Sequence, residues 1–220
     1  METKNRDVFW QALLATAIIF AIGFIFGFFL EVFRGDKMEA VLLNSEINLL
    51  DEQLRTNVAG EFNVSCKDMK EGLFSFANTI YYDAIKLEKY EASEKFRETL
   101  FLIHKRYDLL RMMLWLESIE VKNKCKNNLH TVVYLYEFNT EDIDKKSKQV
   151  FFSRLLFDLK SKNPDKVLLI PIAIDTGLDS VNLTTRSYNI SNYPVIIVDE
   201  KKIFNDVIKF DDFEREVLNN

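Results

Sequence analysis

The chain has 220 residues, 48% hydrophobic and 29% charged, with 29 Lys and Arg against 34 Asp and Glu. Such a composition excludes a wholly disordered chain, and a net charge of -5 excludes the basic field that nonspecific nucleic-acid binding needs. Two Cys are too few for a disulfide-dense scaffold or a thiolate-built zinc site, and 6 Gly with 3 Pro exclude collagen-like and linker-like chains.

After a short tail (1–7), Val8 to Leu30 contains no ionised side chain, and Gln11 is its one strongly polar group. These 23 residues make about 34 Å of helix, enough to cross a bilayer core of about 30 Å. Trp10 sits near one edge, where an amphipathic ring suits the interface. A signal peptide is the rival reading. Here, however, Phe28, Phe29 and Leu30 run directly into Glu31 with no small-x-small cleavage site, so an uncleaved anchor is expected. Lys4 and Arg6 on one side nearly balance Arg34 and Lys37 on the other. The usual fate of a short tail before a single span puts the amino terminus in the cytoplasm and the remainder outside it. The sequons at Asn63, Asn182 and Asn189 suit that location, although such triplets arise often by chance in an Asn-rich chain. Gly23 and Gly27 form a G-x-x-x-G pair through which two copies could pack as a homodimer; small residues are also simply common in membrane helices.

Residues 31–62 predict a juxtamembrane helix. Leu43, Ile47, Leu50 and Leu54 recur at 4, 3, 4 spacing on one face, widened by Leu49 and Val58. Two readings stand: a parallel coiled pair continuing from the membrane helix, or a stalk folding back on its neighbours. Gly60 to Ser65 breaks the pattern, with Ser65 and Asp68 spaced as a capping box. Residues 65–127 then predict a helical hairpin. One stripe is Met69, Leu73, Phe76, Ile80 and Leu87. The other runs Phe96, Leu100, Ile103, Tyr107, Leu110, Leu114 and Val121, with a turn near Glu91–Ser93. Tyr81, Tyr82, Tyr90, Tyr107 and Trp115 suit either a peptide groove or ordinary packing. His104 and His130 fall in different elements without metal-ligand spacing, and no nucleophile–base pair is evident. No catalytic residue, metal or cofactor is therefore expected. Cys66 starts one helix of the hairpin and Cys125 ends the other, so a disulfide would tie the unit; the alternative is two separate buried thiols. Their wide spacing is unlike that of a reactive dithiol.

The pattern changes at Leu129. Thr131 to Phe138 predicts a strand, and Asn139 and Thr140 suit a cap for a helix opening with Glu141, Asp142 and Asp144. That helix is expected to reach about Ser161, burying Phe151, Phe152, Leu155, Leu156 and Leu159. Those acids could hold a cation, but their place at the favourable end of a helix dipole already accounts for them. Val167 to Ile174, apolar on both faces, suits a central parallel strand with an irregular point or open edge at Pro171. A short helix over Leu178 to Tyr188 follows, then a strand Val195 to Val198. A turn at Asp199–Lys201 leads to a return strand from Ile203-Phe204 and Val207-Ile208. Asp211 or Asp212 would cap a last helix. The order is β, α, β, α, β, β, α.

This order, with Asn192-Tyr193-Pro194-Val195-Ile196-Ile197-Val198-Asp199 before a turn and short strand, resembles the thioredoxin-like family over 129–218. The resemblance implies a cis Tyr193–Pro194 bond. It also implies a fold class: an α/β thioredoxin-like domain (129–220) preceded by an all-α region and a single amino-terminal transmembrane helix. Where that family carries Cys-x-x-Cys, this chain has Ile143 and Lys146, and no Cys follows Cys125. Thiol–disulfide exchange by this domain is thereby excluded, because it requires an attacking thiolate. What the resemblance leaves is a groove for an extended peptide, formed by Phe138, Ile143, Lys146, Tyr193 and Pro194. The function expected is a redox-inactive module, tethered to the bilayer by residues 8–30, that binds or scaffolds another membrane or envelope protein. An accessory subunit of a protein-modifying membrane complex, and an oxidoreductase using Cys66 and Cys125, are the alternatives.

Overall fold

Long apolar runs and amphipathic stripes make this a helix-rich protein with one small mixed sheet towards its carboxy terminus. The computed structural model describes residues 2–62, 64–88, 97–125 and 128–219. Asn63, Tyr90, Phe96 and the turn expected at Glu91–Ser93 lie outside the described residues, as do the side chains of Lys4, Arg6, Arg34, Lys37 and Leu87. Two compact units form, Met1–Asp51 and Glu52–Asn220.

The first unit is helical. Helix α1 (Glu2–Glu61) runs without a break through the apolar segment, which within it spans Phe9–Leu30 and is long and apolar enough to cross a membrane. Thr16 Oγ1 donates to the Ala12 carbonyl (2.9 Å), so this hydroxyl is satisfied inside the helix, as lipid would require. Leu43, Ile47, Leu50 and, further along α1, Leu54 are all exposed. At about 100° per residue, Gly23 and Gly27 each stand about 160° round the helix from Leu43. The two small residues and the leucine stripe therefore face opposite ways, and one straight helix–helix seam cannot use both.

The second unit contains the end of α1, α2 (Cys66–Glu88), α3 (Arg97–Lys124) and the sheet with its helices. Ser65 caps α2: its Oγ accepts the Asp68 N–H (3.2 Å) and donates to the Asp68 carboxylate (2.7 Å). The hairpin stripes pack as expected, with Met69, Leu73, Phe76 and Ile80 of α2, and Ile103, Tyr107, Leu110, Leu114 and Val121 of α3, all buried. Trp115 and Tyr107 belong to that core, whereas Tyr81 and Tyr82 are exposed and meet edge to face, so these aromatics do not gather into one groove. Cys66 and Cys125 are joined in a disulfide, Cα–Cα 5.6 Å.

Strands β1 (His130–Tyr136), β2 (Val167–Ala173), β3 (Val195–Val198) and β4 (Lys202–Phe204) form one sheet in the order β2-β1-β3-β4. β1 is parallel to β2 and antiparallel to β3, and β3 and β4 are antiparallel. Helix α4 (Ile143–Lys162) joins β1 to β2, α5 (Asp179–Ser187) joins β2 to β3, and α6 (Phe210–Leu218) follows β4. On one face Val132, Tyr134 and Ile196 pack with Phe152, Leu155, Leu156 and Leu159 of α4 and Phe213 and Val217 of α6. The opposite face buries Val133, Leu135, Ile170, Ile172 and Ile197, and α3 packs on β1 and β2.

Several sequence expectations shift for physical reasons. β2 is an edge strand, not a central one; its apolar faces reflect helices on both sides. Its Ile174 end donates to the Tyr136 carbonyl (2.9 Å), so the amide positions of Ala173 and Pro171 point to the open edge. Pro171 thus removes a donor the ladder does not use. Phe151 is half-exposed, because it stands about 100° round α4 from the buried row. Asp142 rather than Asn139 or Thr140 caps α4, its carboxylate accepting from Asp144 N (2.9 Å) and Lys145 N (3.2 Å); Thr140 Oγ1 instead accepts the Asp142 N–H (3.4 Å) one step upstream. Val207 and Ile208 lie beyond β4, and α6 begins at Phe210 after Lys209, with Asp211 and Asp212 in its first turn.

At the β3–β4 turn, Asp199 and Glu200 both have positive φ (49° and 60°), a conformation more natural to Asn-Gly. Their carboxylates hold it. Asp199 accepts Thr131 N (2.9 Å), approaches His130 Nδ1 (2.9 Å) and pairs with Lys122; Glu200 accepts Trp115 Nε1 (3.0 Å). Burial alone would push the Asp199 carboxyl up, but His130, Lys122 and the Thr131 amide outweigh it and leave it below its ordinary value.

Candidate functional site

The parallel pairing of β1 and β2 brings the turns that follow them to one end of the sheet, and β3, antiparallel to β1, starts at that same end. The β1–β3 ladder closes with Leu135 opposite Val195, which sets Pro194 beside the end of β1. The Tyr193–Pro194 bond is cis. Pro194 is buried; Tyr193 is half-buried, and its hydroxyl donates to the Ile190 carbonyl (3.3 Å).

The β1–α4 turn is fixed by side chains from elsewhere. Asp175, just after β2, accepts the N–H of Phe138 (2.7 Å) and of Asn139 (2.8 Å) with its two oxygens. Gln149 of α4 clamps the Glu137 backbone, accepting its N–H (3.0 Å) and donating to its carbonyl (3.2 Å). Lys145 Nζ reaches the Glu137 carboxylate at 2.6 Å. Phe138 stacks on His104 of α3, ring centroids 4.1 Å apart. Ile143, the first residue of α4, and Lys146 one turn later are exposed. Phe138, Ile143 and Lys146 thus share one turn and helix start, while Tyr193 and Pro194 belong to the loop entering β3 at that end of the sheet.

Beneath Phe138 lies a polar cluster that sequence reading left out. Asp108, fully buried on α3, accepts the outward N–H of Ala173 (3.2 Å) and an Arg111 guanidinium hydrogen (3.2 Å) on Oδ1. Its Oδ2 lies 3.6 Å from His104 Nε2 and makes no hydrogen bond among the described residues. The Tyr136 hydroxyl is 3.3 Å from the same nitrogen. His104, Asp108 and Arg111 stand at i, i+4 and i+7, one helical face; that spacing is the signal a closer reading could have used.

Burial moves these groups in opposite directions. It pushes the Asp108 carboxyl up to about 6, against the pull of Arg111 and the Ala173 amide, and pushes His104 down to about 4, with Arg111 adding to the effect. Burial likewise raises Tyr136 to about 12. For Asp108 the folded state binds more protons than the unfolded one between pH 3.8 and about 6, so stability falls as pH rises through that window. For His104 the unfolded state binds more between about 4 and 6.5, so stability rises. In the wild type the two slopes oppose each other. Relative to wild type, His104→Gln is expected to lose about 3 kcal/mol of stability between pH 4 and 6.5, and Asp108→Asn to gain a similar amount over that interval. Urea midpoints measured across that range decide it; parallel profiles for all three proteins would refute the opposed shifts.

No protein-family model and no curated protein matches this chain.

Proposed function

We propose that the sheet-bearing part of the Glu52–Asn220 unit is a thioredoxin-like module that has lost redox chemistry and serves as a peptide-binding head on a membrane anchor. The observation that carries this reading is the placement of the loop entering β3 at Pro194 beside the end of β1, at the sheet end reached by the β1–α4 turn. The strand order β2-β1-β3-β4 with its parallel and antiparallel pairs supports it too. With Ile143 and Lys146 where a dithiol would stand, no thiolate is available to attack a disulfide. An extended segment of a membrane or envelope protein would pair with the Tyr193 backbone and rest an apolar side chain between Tyr193, Phe138 and Ile143, with Lys146 at the rim. The Asp175 and Gln149 clamps would hold the turn ready, so little ordering would be left for the binding step. The head would lie outside the cytoplasm.

Crosslinking in native membranes, with the adducts identified, tests this. Tyr193→Ala is expected to reduce one abundant adduct about tenfold or more, the scale of losing an aromatic anchor worth about 2 kcal/mol. An adduct pattern unchanged by the substitution would remove the groove as the contact. Sustained thiol-dependent turnover by the same protein would instead assign an oxidoreductase role to Cys66 and Cys125.

A further inference from the structure

Helix α4 is apolar on two faces, and only one of them is used by the fold. Phe152, Leu155, Leu156 and Leu159 are buried against the sheet. On the far side Ile143, Val150 and Phe157 recur at seven-residue intervals and are 77%, 68% and 64% exposed. Taking Val150 as the outward direction, at about 100° per residue Ile143, Phe157, Lys146 and Arg154 all fall within about 40° of it. Ser147 and Ser161 fill most of the remainder of that face, and Asp158 and Asp144 stand about 80° and 120° away. The whole helix carries six Lys and Arg against two Asp, in a chain whose net charge is -5. Of these cations Lys146 and Arg154 lie on the outward face, beside three large apolar side chains left in water and with no acid within about 60°.

From this juxtaposition we infer that the outward face of α4 docks on an anionic membrane surface, with Ile143, Val150 and Phe157 entering the interface and Lys146 and Arg154 pairing with lipid phosphates. Apolar side chains interleaved with Lys and Arg, and with few acids, are what an interfacial helix presents to a bilayer. The chain's own apolar segment, Phe9–Leu30, supplies the reason to prefer lipid to an acidic protein. Docking to the bilayer that this segment would cross is an intramolecular step for the unit that carries α4. This inference rests on that segment crossing the membrane; the face shares Ile143 and Lys146 with the proposed peptide groove, while Val150, Arg154 and Phe157 belong to it alone.

The test uses the full chain. Its two cysteines are joined to each other, so Val150→Cys supplies a single thiol for a spin label. The protein is placed in vesicles of phosphatidylcholine alone or of phosphatidylcholine with phosphatidylglycerol, and collision with a water-soluble nickel complex is measured. On the anionic vesicles the label at position 150 is expected to be shielded, and on the neutral ones exposed. A label introduced by Leu183→Cys, on the exposed side of α5, should stay accessible on both. Lys146→Glu with Arg154→Glu should lower the docked-to-undocked ratio about thirtyfold or more, the equivalent of about 1 kcal/mol for each cation. Co-flotation with the vesicles reports membrane insertion separately. A chain that floats while position 150 stays exposed on anionic lipid overturns the docking alone, and a chain that does not float overturns the span and the docking together. Shielding that appears only after an acidic protein is added would assign the face to that protein and overturn the lipid assignment.

Discussion

Replacing both cysteines, with Cys66→Ser at its exposed position and Cys125→Ala at its buried one, is expected to destabilise the Glu52–Asn220 unit by about 4 kcal/mol. The bond closes a separation of 59 residues, and the chain-entropy cost of leaving such a loop open in the unfolded state is of that size. The native contacts around it are modest: Met69, Val121 and Cys125 form a small cluster with Ala59 and Val64, and Lys124 donates to the Ala59 carbonyl at 3.1 Å. Little packing is therefore lost with the sulfurs, and the effect should come through the unfolded chain. Urea unfolding of the full chain, followed through the buried Trp115, measures it. Wild type under reductant should match the double variant, and the double variant should not respond to reductant. A change below about 1 kcal/mol would mean that the helices already close this loop in the unfolded ensemble.

The legible parts of the fold were those written in local pattern. The β-branched runs of β1 and β3, the Ser65 cap and the buried stripes of α2 and α3 follow from periodicity and neighbouring residues alone. The meeting of Cys66 and Cys125 was one of two readings the helix stripes allowed, and the disulfide decides it. Long-range polar pairing was not legible. Asp108 covers an amide of β2 that is 65 residues away in sequence, and nothing near Asp108 signals that its partner is backbone. Asp175 reads as a residue leaving the sheet, yet it fixes the turn at Phe138 and Asn139. The second apolar face of α4 was hidden for a different reason: a helix with apolar residues on opposite sides has no single polar face, and Phe151 is easily assigned to the wrong row. At the candidate groove the sequence supplied the residues, while the stacking of Phe138 on His104 required the path of α3.

Arg55→Met is expected to cost about 3–5 kcal/mol, because it removes the cation paired with two buried acids. Arg55, near the end of α1, pairs with Glu52 one turn before it and with Glu117 of α3, and both acids are buried. Burial would lower the Arg55 pKa, but the hydrogen bond and charge of Glu52 and the charge of Glu117 outweigh it and raise it. Burial, reinforced by Glu52 and opposed by Arg55, pushes Glu117 well above the carboxylate range, so Glu117 keeps its proton at neutral pH. The folded state then binds more protons than the unfolded one, and stability should fall as the pH rises above the ordinary carboxylate value and on past neutrality. Glu117→Gln should flatten that fall. Arg55→Met combined with Glu52→Gln should recover most of the loss, since the remaining Glu117 can stay protonated beside a neutral amide. Gly72 of α2 supplies an independent check. A Cβ there would sit 2.5 Å from Arg55 Nη1 and 3.2 Å from its Cζ, and the guanidinium, held by two carboxylates, has little freedom to give way. Gly72→Ala should therefore be costly in the wild type and much less so in Arg55→Met. Equal costs in both backgrounds, read from urea midpoints, would show that the guanidinium does not occupy the space over Gly72.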